Sequence, residues 1–217
     1  MGLTIRTVEA GPIDTNAYLV ADDETGDALI VDAPKDGTAA LIQAAAAGGW
    51  QVRRIVITHA HWDHIADAAA LRAATGVPLD AHPLAVERLA EPGSAVTDLP
   101  FTIPPVQPDR LLEDGDSVEL GAHTFRVIHL PGHDPAHIAL FSEADRLFFG
   151  GDVVFPGGHG TTEIPGSDEA TMHRSLARLV DLPPETVVYP GHGRSTTLGE
   201  EASWINEAAD AASSVGQ

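Results

Sequence analysis

The chain of 217 residues has no cysteine. That absence removes disulfide scaffolds, thiolate zinc sites and cysteine nucleophiles together, so any metal must be held by histidine and carboxylate. Aromatic residues are scarce at 5%, and Lys and Arg number 12 against 32 Asp and Glu. The formal charge of −20 argues against a nucleic-acid backbone as substrate, because phosphate contacts need cations. The plain reading of the acidity is a solvated surface, within which bound cations can still create one local positive site. Long apolar runs are missing too. Met1 to Arg6 lacks a basic segment followed by an apolar stretch, and no later segment approaches a membrane span. The expectation is a cytoplasmic protein that acts on a small molecule, with no nucleic-acid or membrane partner.

With 43% hydrophobic residues, the chain suits one globular domain over residues 1–217, long enough to bury two stacked sheets. Short apolar or alternating runs predict strands at Leu3 to Val8, Ala17 to Ala21, Ala28 to Val31, Val52 to Thr58 and Val77 to Ala81. Helices are predicted at Gly37 to Ala47, stopped by Gly48-Gly49, and after His64, with Ile65, Ala69, Leu71 and Ala73 on its apolar side. Another is predicted from Pro83 to Ala90. Pro92 to Asp109 carries several prolines and little periodicity, and reads either as a connecting loop or as a lid. Strands follow at Ser117 to Leu120, Thr124 to His129, Ile138 to Phe141, Arg146 to Phe149 and Thr186 to Tyr189. Ser167 or Asp168 is placed to cap a helix to Val180, and Leu198 to Ala212 reads as a last helix. Two sheets packed face to face with helices outside accommodate this order, an α/β class of fold.

His59-Ala60-His61-Trp62-Asp63-His64 puts four ligand-type side chains into six residues where a strand gives way to a helix. Such crowding is costly unless something binds it. Three more positions follow predicted strands, each beside glycine: His133 after Gly132, Asp152 after Gly150-Gly151, and His192 between Gly191 and Gly193. Alone, each reads as an ordinary loop residue; the repetition makes the pattern. His82, His123 and His173 read as surface or helix-end residues, and His129 as a strand end. His137 and His159 fall near the site without being expected to touch metal.

This series resembles the metallo-β-lactamase superfamily across nearly the whole chain. Thr58 to His64, Phe155-Pro156-Gly157-Gly158 and Pro190-Gly191-His192-Gly193 are similar to the short glyoxalase-II-like (hydroxyacylglutathione hydrolase-like) hydrolases. The resemblance implies an αββα sandwich and two divalent metal ions, zinc first, with iron or manganese accepted by the same donors. It implies metal one on His59, His61 and His133, metal two on Asp63, His64 and His192, and Asp152 bridging both. Asp32, at the end of its strand, is either a turn aspartate or, as the family has it, a carboxylate supporting a metal ligand. The implied chemistry is attack on a thioester such as S-lactoylglutathione by a hydroxide shared between the metals, with Asp63 orienting the water or relaying its proton. Two departures stand out. Longer relatives carry an added C-terminal helical region with glutathione-binding residues, whereas the sequence here ends soon after His192, and Gly160-Thr161-Thr162-Glu163 stands where relatives tend to show Gly-Arg-x-Asp. Alternatives on the same scaffold are a mononuclear-iron persulfide dioxygenase, which uses the equivalents of His59, His133 and Asp152, and a lactone or other ester hydrolase.

Overall fold

In strand β2 (Thr15–Asp22) Tyr18 and Val20 point to one apolar cluster and Ala17, Leu19 and Ala21 to another, and every residue is buried. A strand buried on both faces needs a packed layer on each side. The computed structural model, which describes residues 2–92 and 99–214, supplies both layers. The first sheet runs β1 (Leu3–Ala10), β2, β3 (Asp27–Val31), β4 (Gln51–Val56), β5 (Leu79–Ala81), β6 (Arg110–Leu111), antiparallel as far as β3 and parallel beyond. The second sheet orders β7 (Ser117–Leu120), β8 (His123–His129), β9 (Ile138–Ser142), β10 (Leu147–Gly151), β11 (Val187–Pro190) and β12 (Thr196–Thr197). Here β10 and β11 form the parallel pair.

Val20, Leu29 and Val56 from one sheet meet Val118, Phe125, Leu140 and Phe149 from the other. Helices α1 (Thr38–Gly48), α2 (Trp62–Ile65), α3 (Ala68–Thr75) and α4 (Val86–Ala90) bury Leu41, Ile65, Leu71 and Leu89 against the outer face of the first sheet. Helices α5 (Glu169–Ala177) and α6 (Leu198–Ser214) bury Met172, Leu176 and Ile205 against the second. This is the αββα sandwich. Each fully buried Leu, Ile or Phe contributes about 1.5–3 kcal/mol, so the three apolar layers hold the sheet edges that carry the chemistry.

Several elements differ from expectation. The helix after His64 is two pieces, because Ala33 intervenes: its N–H donates to the His64 carbonyl and its carbonyl accepts from Asp67 N. The buried side is consequently Ile65, Ala68 and Leu71, with Ala69 half-buried and Ala73 exposed. Pro83–Ala85 forms a 3-10 turn before α4. Asp168, not Ser167, caps α5, accepting from Thr171 N at 2.7 Å, and the helix stops at Ala177 rather than Val180. The two-residue strands β6 and β12 have no signal of their own in the sequence.

Of the Pro92 to Asp109 segment, residues 93–98 lie outside the described residues. The described remainder is docked as a connector. Ile103 and Val106 are buried in the outer layer of the first sheet, and Val106 N donates to Leu89 O. Asp109 pairs with Arg72 and accepts from Leu79 N. Among the described residues no helix is long and apolar enough to cross a membrane.

Candidate metal centre

Parallel pairing levels the ends of neighbouring strands. Val31 pairs with Val56 in the first sheet, and Gly151 with Pro190 in the second. Asp32, Thr58, Asp152 and Gly191 therefore emerge at one edge of the sandwich, where ligands bind in open sheets. The two edges are tied together: Ile138 N donates to Thr58 O at 2.8 Å and Asn16 N to Gly191 O at 2.7 Å.

At that edge the seven predicted residues converge. His59, His61 and His133 form one group able to hold an ion, Asp63, His64 and His192 another, and His59, His64 and Asp152 a third between them. Asp152 Oδ2 lies 3.3 Å from His133 Nε2 and 3.7 Å from His192 Nε2, while Oδ1 is 3.4 Å from His64 Nε2. Asp63 Oδ2 is 3.2 Å from both His64 Nε2 and His192 Nε2, and accepts from Thr15 Oγ1 at 2.9 Å.

What surrounds the imidazoles decides which nitrogen faces inward. A carboxylate or carbonyl can only accept, so a ring nitrogen against one must carry the proton. His64 Nδ1 donates to Asp32 Oδ2 at 2.8 Å. His133 Nδ1 donates to Thr161 O at 2.8 Å and His192 Nδ1 to Ile13 O at 3.1 Å. Thr58 Oγ1 gives its hydrogen to Asp32 Oδ2 and so accepts from His59 Nδ1 at 3.0 Å. His61 is turned the other way, with Nε2 facing Asp134 Oδ2 at 3.5 Å. Each histidine thus spends its outer nitrogen on the protein and aims the other at a common centre.

The inner atoms have no adequate partner of their own. His59 Nε2, His64 Nε2 and Asp152 Oδ1 are buried without a hydrogen bond. His61 Nδ1 and His133 Nε2 face each other at 2.8 Å, a separation that two lone pairs tolerate only with a proton or cation between or beside them. Buried polar atoms left unpaired are costly, so the donor set fits divalent cations held by His and carboxylate.

Charge is divided unevenly across the centre. Burial pushes His59 well below its ordinary value, and burial with the nearby His133 pushes His61 down to about 4. Burial opposes charge on His64 as well, but Asp63, Asp152 and Asp32 outweigh it and hold the ring well above the usual histidine range. Burial likewise would raise Asp63, yet His64 and the His192 hydrogen bond bring it down to about 2. Asp152 is held well below the carboxylate range by His64 and His133 despite its burial. Both acids are therefore ionised at neutral pH.

Asp32 is a turn residue and a support at once. Its φ is 64°, and its carboxylate accepts from Thr58 N, Thr58 Oγ1 and His64 Nδ1. Thr161 matters through its carbonyl, so the segment that lacks the expected Arg still orients His133. Thr58, Asp134 and Thr15 are functional neighbours that the sequence reading assigned no role; the first two had one available signal, adjacency to His59 and His133.

The remaining histidines separate cleanly. His137 is fully buried, stacks on His59 at 4.8 Å and accepts from Asp152 N at 3.0 Å, outside the ion-holding groups. His82 is at a helix end as expected but is buried, 7% exposed, and stacks on His129 at 4.1 Å. His123 lies in β8 against Asp145 and is not a loose surface residue. His173 lies in α5 near Glu169, and His129 ends β8 with Nε2 on Pro135 O. His159 donates from Nδ1 to its neighbour's carbonyl, Gly160 O.

Comparison with known proteins agrees with this arrangement. Residues 10–192 match the family model of the metallo-beta-lactamase superfamily. Hydroxyacylglutathione hydrolase GloC of Haemophilus influenzae is 30% identical over 208 residues, 92% of this chain and 95% of that protein. Longer hydroxyacylglutathione hydrolases reach 38% identity, but the chain spans 62% of their length. Among solved structures, BLEG-1 B3 metallo-beta-lactamase superposes with a TM-score of 0.85 at 33% identity, covering 92% of this chain and 97% of that one. TTHA1623 in a di-iron-bound form gives 0.79 at 37% identity, with 91% and 96% covered. With its sandwich, its edge site and these relatives taken together, the chain belongs to the metallo-β-lactamase superfamily.

Proposed function

We propose that this chain is a binuclear metallohydrolase that cleaves a thioester of the S-lactoylglutathione type. The observation that carries the reading is the common aim of the five imidazoles, each with its outer nitrogen engaged, toward two ionised carboxylates. His59, His61 and His133 would hold one ion, Asp63, His64 and His192 the second, and Asp152 both. Zinc is the first choice of metal; the di-iron form of a 37%-identical relative keeps iron as the alternative. When bound, such ions lower the pKa of water toward neutrality and polarise a carbonyl oxygen.

The chain's own residues then have defined tasks. Asp63, held down to about 2, is too weak a base to store a proton and serves to orient the attacking water through its carboxylate. Thr15 Oγ1 fixes that carboxylate. Asp32 keeps His64 and, through Thr58, His59 from turning. A thiolate departs without a general acid, because a thiol's pKa near 8.5 makes it a good leaving group.

Substrate charge has a candidate anchor. Eleven of the twelve Lys and Arg are engaged in ion pairs, hydrogen bonds or aromatic contacts. Arg194 is the twelfth. It is exposed, two residues beyond His192, and its charge acts on Glu201, which binds Gly157 N beside Phe155. A carboxylate-bearing thiol suits that rim.

The test is thiol release from S-lactoylglutathione by zinc-loaded protein, with Asp63→Asn as control. Release that vanishes in the variant supports the reading. Silence from protein carrying two metals per chain would remove the glutathione thioester and direct attention to lactones and other esters. Oxygen uptake by iron-loaded protein with a persulfide would instead favour the dioxygenase reading. That reading employs His59, His133 and Asp152 and leaves the Asp63–His64–His192 group without a task.

A further inference from the structure

His61 differs from the other four histidines of the centre. It turns Nδ1 inward, so its far nitrogen Nε2 needs an acceptor on the outer side, where the side chain is only 15% exposed. Asp134 is the group that faces it, with Oδ2 at 3.5 Å. Asp134 is itself 1% exposed, and its Oδ1 is fixed by Ala136 N at 2.7 Å. A carboxylate so buried is costly unless compensated. Compensation comes from α4, whose Arg88 guanidinium hydrogen-bonds the same Oδ2.

We propose that Asp134, gripped by Arg88, is a positioning residue that locks His61 in its Nδ1-binding orientation and serves the His59–His61–His133 group alone. The proposal rests on the two-metal reading above. Its selectivity follows from chain geometry: Asp134 directly follows His133, so one loop supplies a ligand of that group and the support of another. Asp32 makes the instructive contrast. Its partners are Thr58 and His64, and through Thr58 it reaches His59, so it touches both groups, and among the described residues no lysine or arginine pairs with it. The support of His61 is paired with an arginine and answers to α4; the support of His64 answers to Thr58 and the imidazole itself.

The experiment titrates metal-free protein with Co(II) and Zn(II) in competition with a chelator. It reads affinity and stoichiometry for each equivalent and the Co(II) absorption spectrum. Wild type, Asp134→Asn, Asp134→Ala, Arg88→Met, Arg88→Lys and Asp32→Asn are compared, with circular dichroism as the check on folding. One equivalent is expected to weaken by roughly 10–100-fold in the Asp134 and Arg88→Met proteins, with its Co(II) bands shifted and the other equivalent unchanged. Arg88→Lys should recover part of the loss, and Asp32→Asn should weaken both equivalents. Asp134→Asn keeps the side chain's shape and carries the test if Asp134→Ala fails to fold. Wild-type affinities and spectra in folded Asp134→Asn and Arg88→Met would overturn the proposal. So would equal weakening of both equivalents, which marks a general prop rather than a positioning residue. Wild-type protein that takes up fewer than two metals would defeat the two-metal reading before any variant is made.

Discussion

The first sheet and the second hold their histidines by different means. On the first, the supports are side-chain carboxylates: Asp32 behind His64 and, through Thr58, behind His59. On the second, they are main-chain carbonyls, Thr161 O behind His133 and Ile13 O behind His192. A carboxylate behind an imidazole makes it a stronger electron donor, whereas a carbonyl chiefly orients it. The first half is thus tuned by residue identity and the second by the path of the backbone. Glycines express the second strategy. A Cβ at Gly191 would meet Asp152 Oδ1 at 2.0 Å and His64 Cε1 at 2.7 Å, and one at Gly151 would meet His137 Nε2 at 2.5 Å, where φ is already +48°.

The largest effect should come from Asp152→Asn, which removes the carboxylate that the proposed two-metal centre would share. We expect loss of metal on both sides and a fall in kcat/KM on the order of 10³-fold or more, since metal activation is worth several kcal/mol. Metal analysis alongside thioester turnover checks it. Gly191→Ala sharpens the contrast because it deletes no ligand: metal should be lost with roughly 1–3 kcal/mol of overpacking strain. A variant with full metal content would show that shape matters less than we argue. Asp32→Asn should lower metal affinity about 10–100-fold, and Thr58→Val should do so chiefly through His59. Thr161→Val keeps the carbonyl, so its metal affinity should stay within about 0.5 kcal/mol of wild type.

Lys35 is committed to Asp36 and the Phe101 ring, while Arg194 makes no ion pair or ring contact among the described residues. Arg194→Gln should raise KM for S-lactoylglutathione about 10-fold, the worth of one charged hydrogen bond, and leave kcat nearly unchanged. An uncharged thioester should show no difference between the two proteins.

Apart from the null expected of Thr161→Val, the smallest effect concerns His82 and His129, a stacked pair outside the ion-holding groups. Burial first, and then the neighbouring His129, push His82 down to about 4. The unfolded ring titrates at about 6.5, so unfolded chain binds the proton first as pH falls. The contribution is complete above about 6.5 and is lost as pH drops toward 4. His82→Gln should therefore flatten the fall in denaturation midpoint between pH 7 and pH 5; an unchanged slope would assign that fall to other groups.

Legibility followed the same division. His59, His61, Asp63 and His64 crowd six residues, and four ligand-type side chains so close need no structure to be noticed. His133, Asp152 and His192 are ordinary singly and became readable through the strand-then-glycine pattern around each. Their supports were illegible where they are carbonyls, because Thr161 O and Ile13 O carry no residue-type signal. Asp134 was hidden differently: a loop aspartate after a histidine is common, and Arg88 sits 46 residues earlier in the chain. The broken helix after His64 escaped because its interruption comes from Ala33, brought in by tertiary pairing. The strands β6 and β12 are too short for periodicity to register.

The seam between the opening hairpin and the end of β11 has a consequence for how the molecule comes into being. Tyr18 Oη donates to Pro190 O at 2.6 Å, Asn16 Nδ2 to Gly193 O at 2.8 Å, and His192 reaches back to Ile13. These contacts join residues more than 170 positions apart, and such closures are entropically slow. On the ribosome, at roughly 5–20 residues per second, the His59–His64 cluster emerges several seconds before His192 and waits without its counterpart. During that interval His59, His61, Asp63 and His64 stand without His133, Asp152 and His192, so the convergence of the seven residues is completed only when nearly the whole chain has been made.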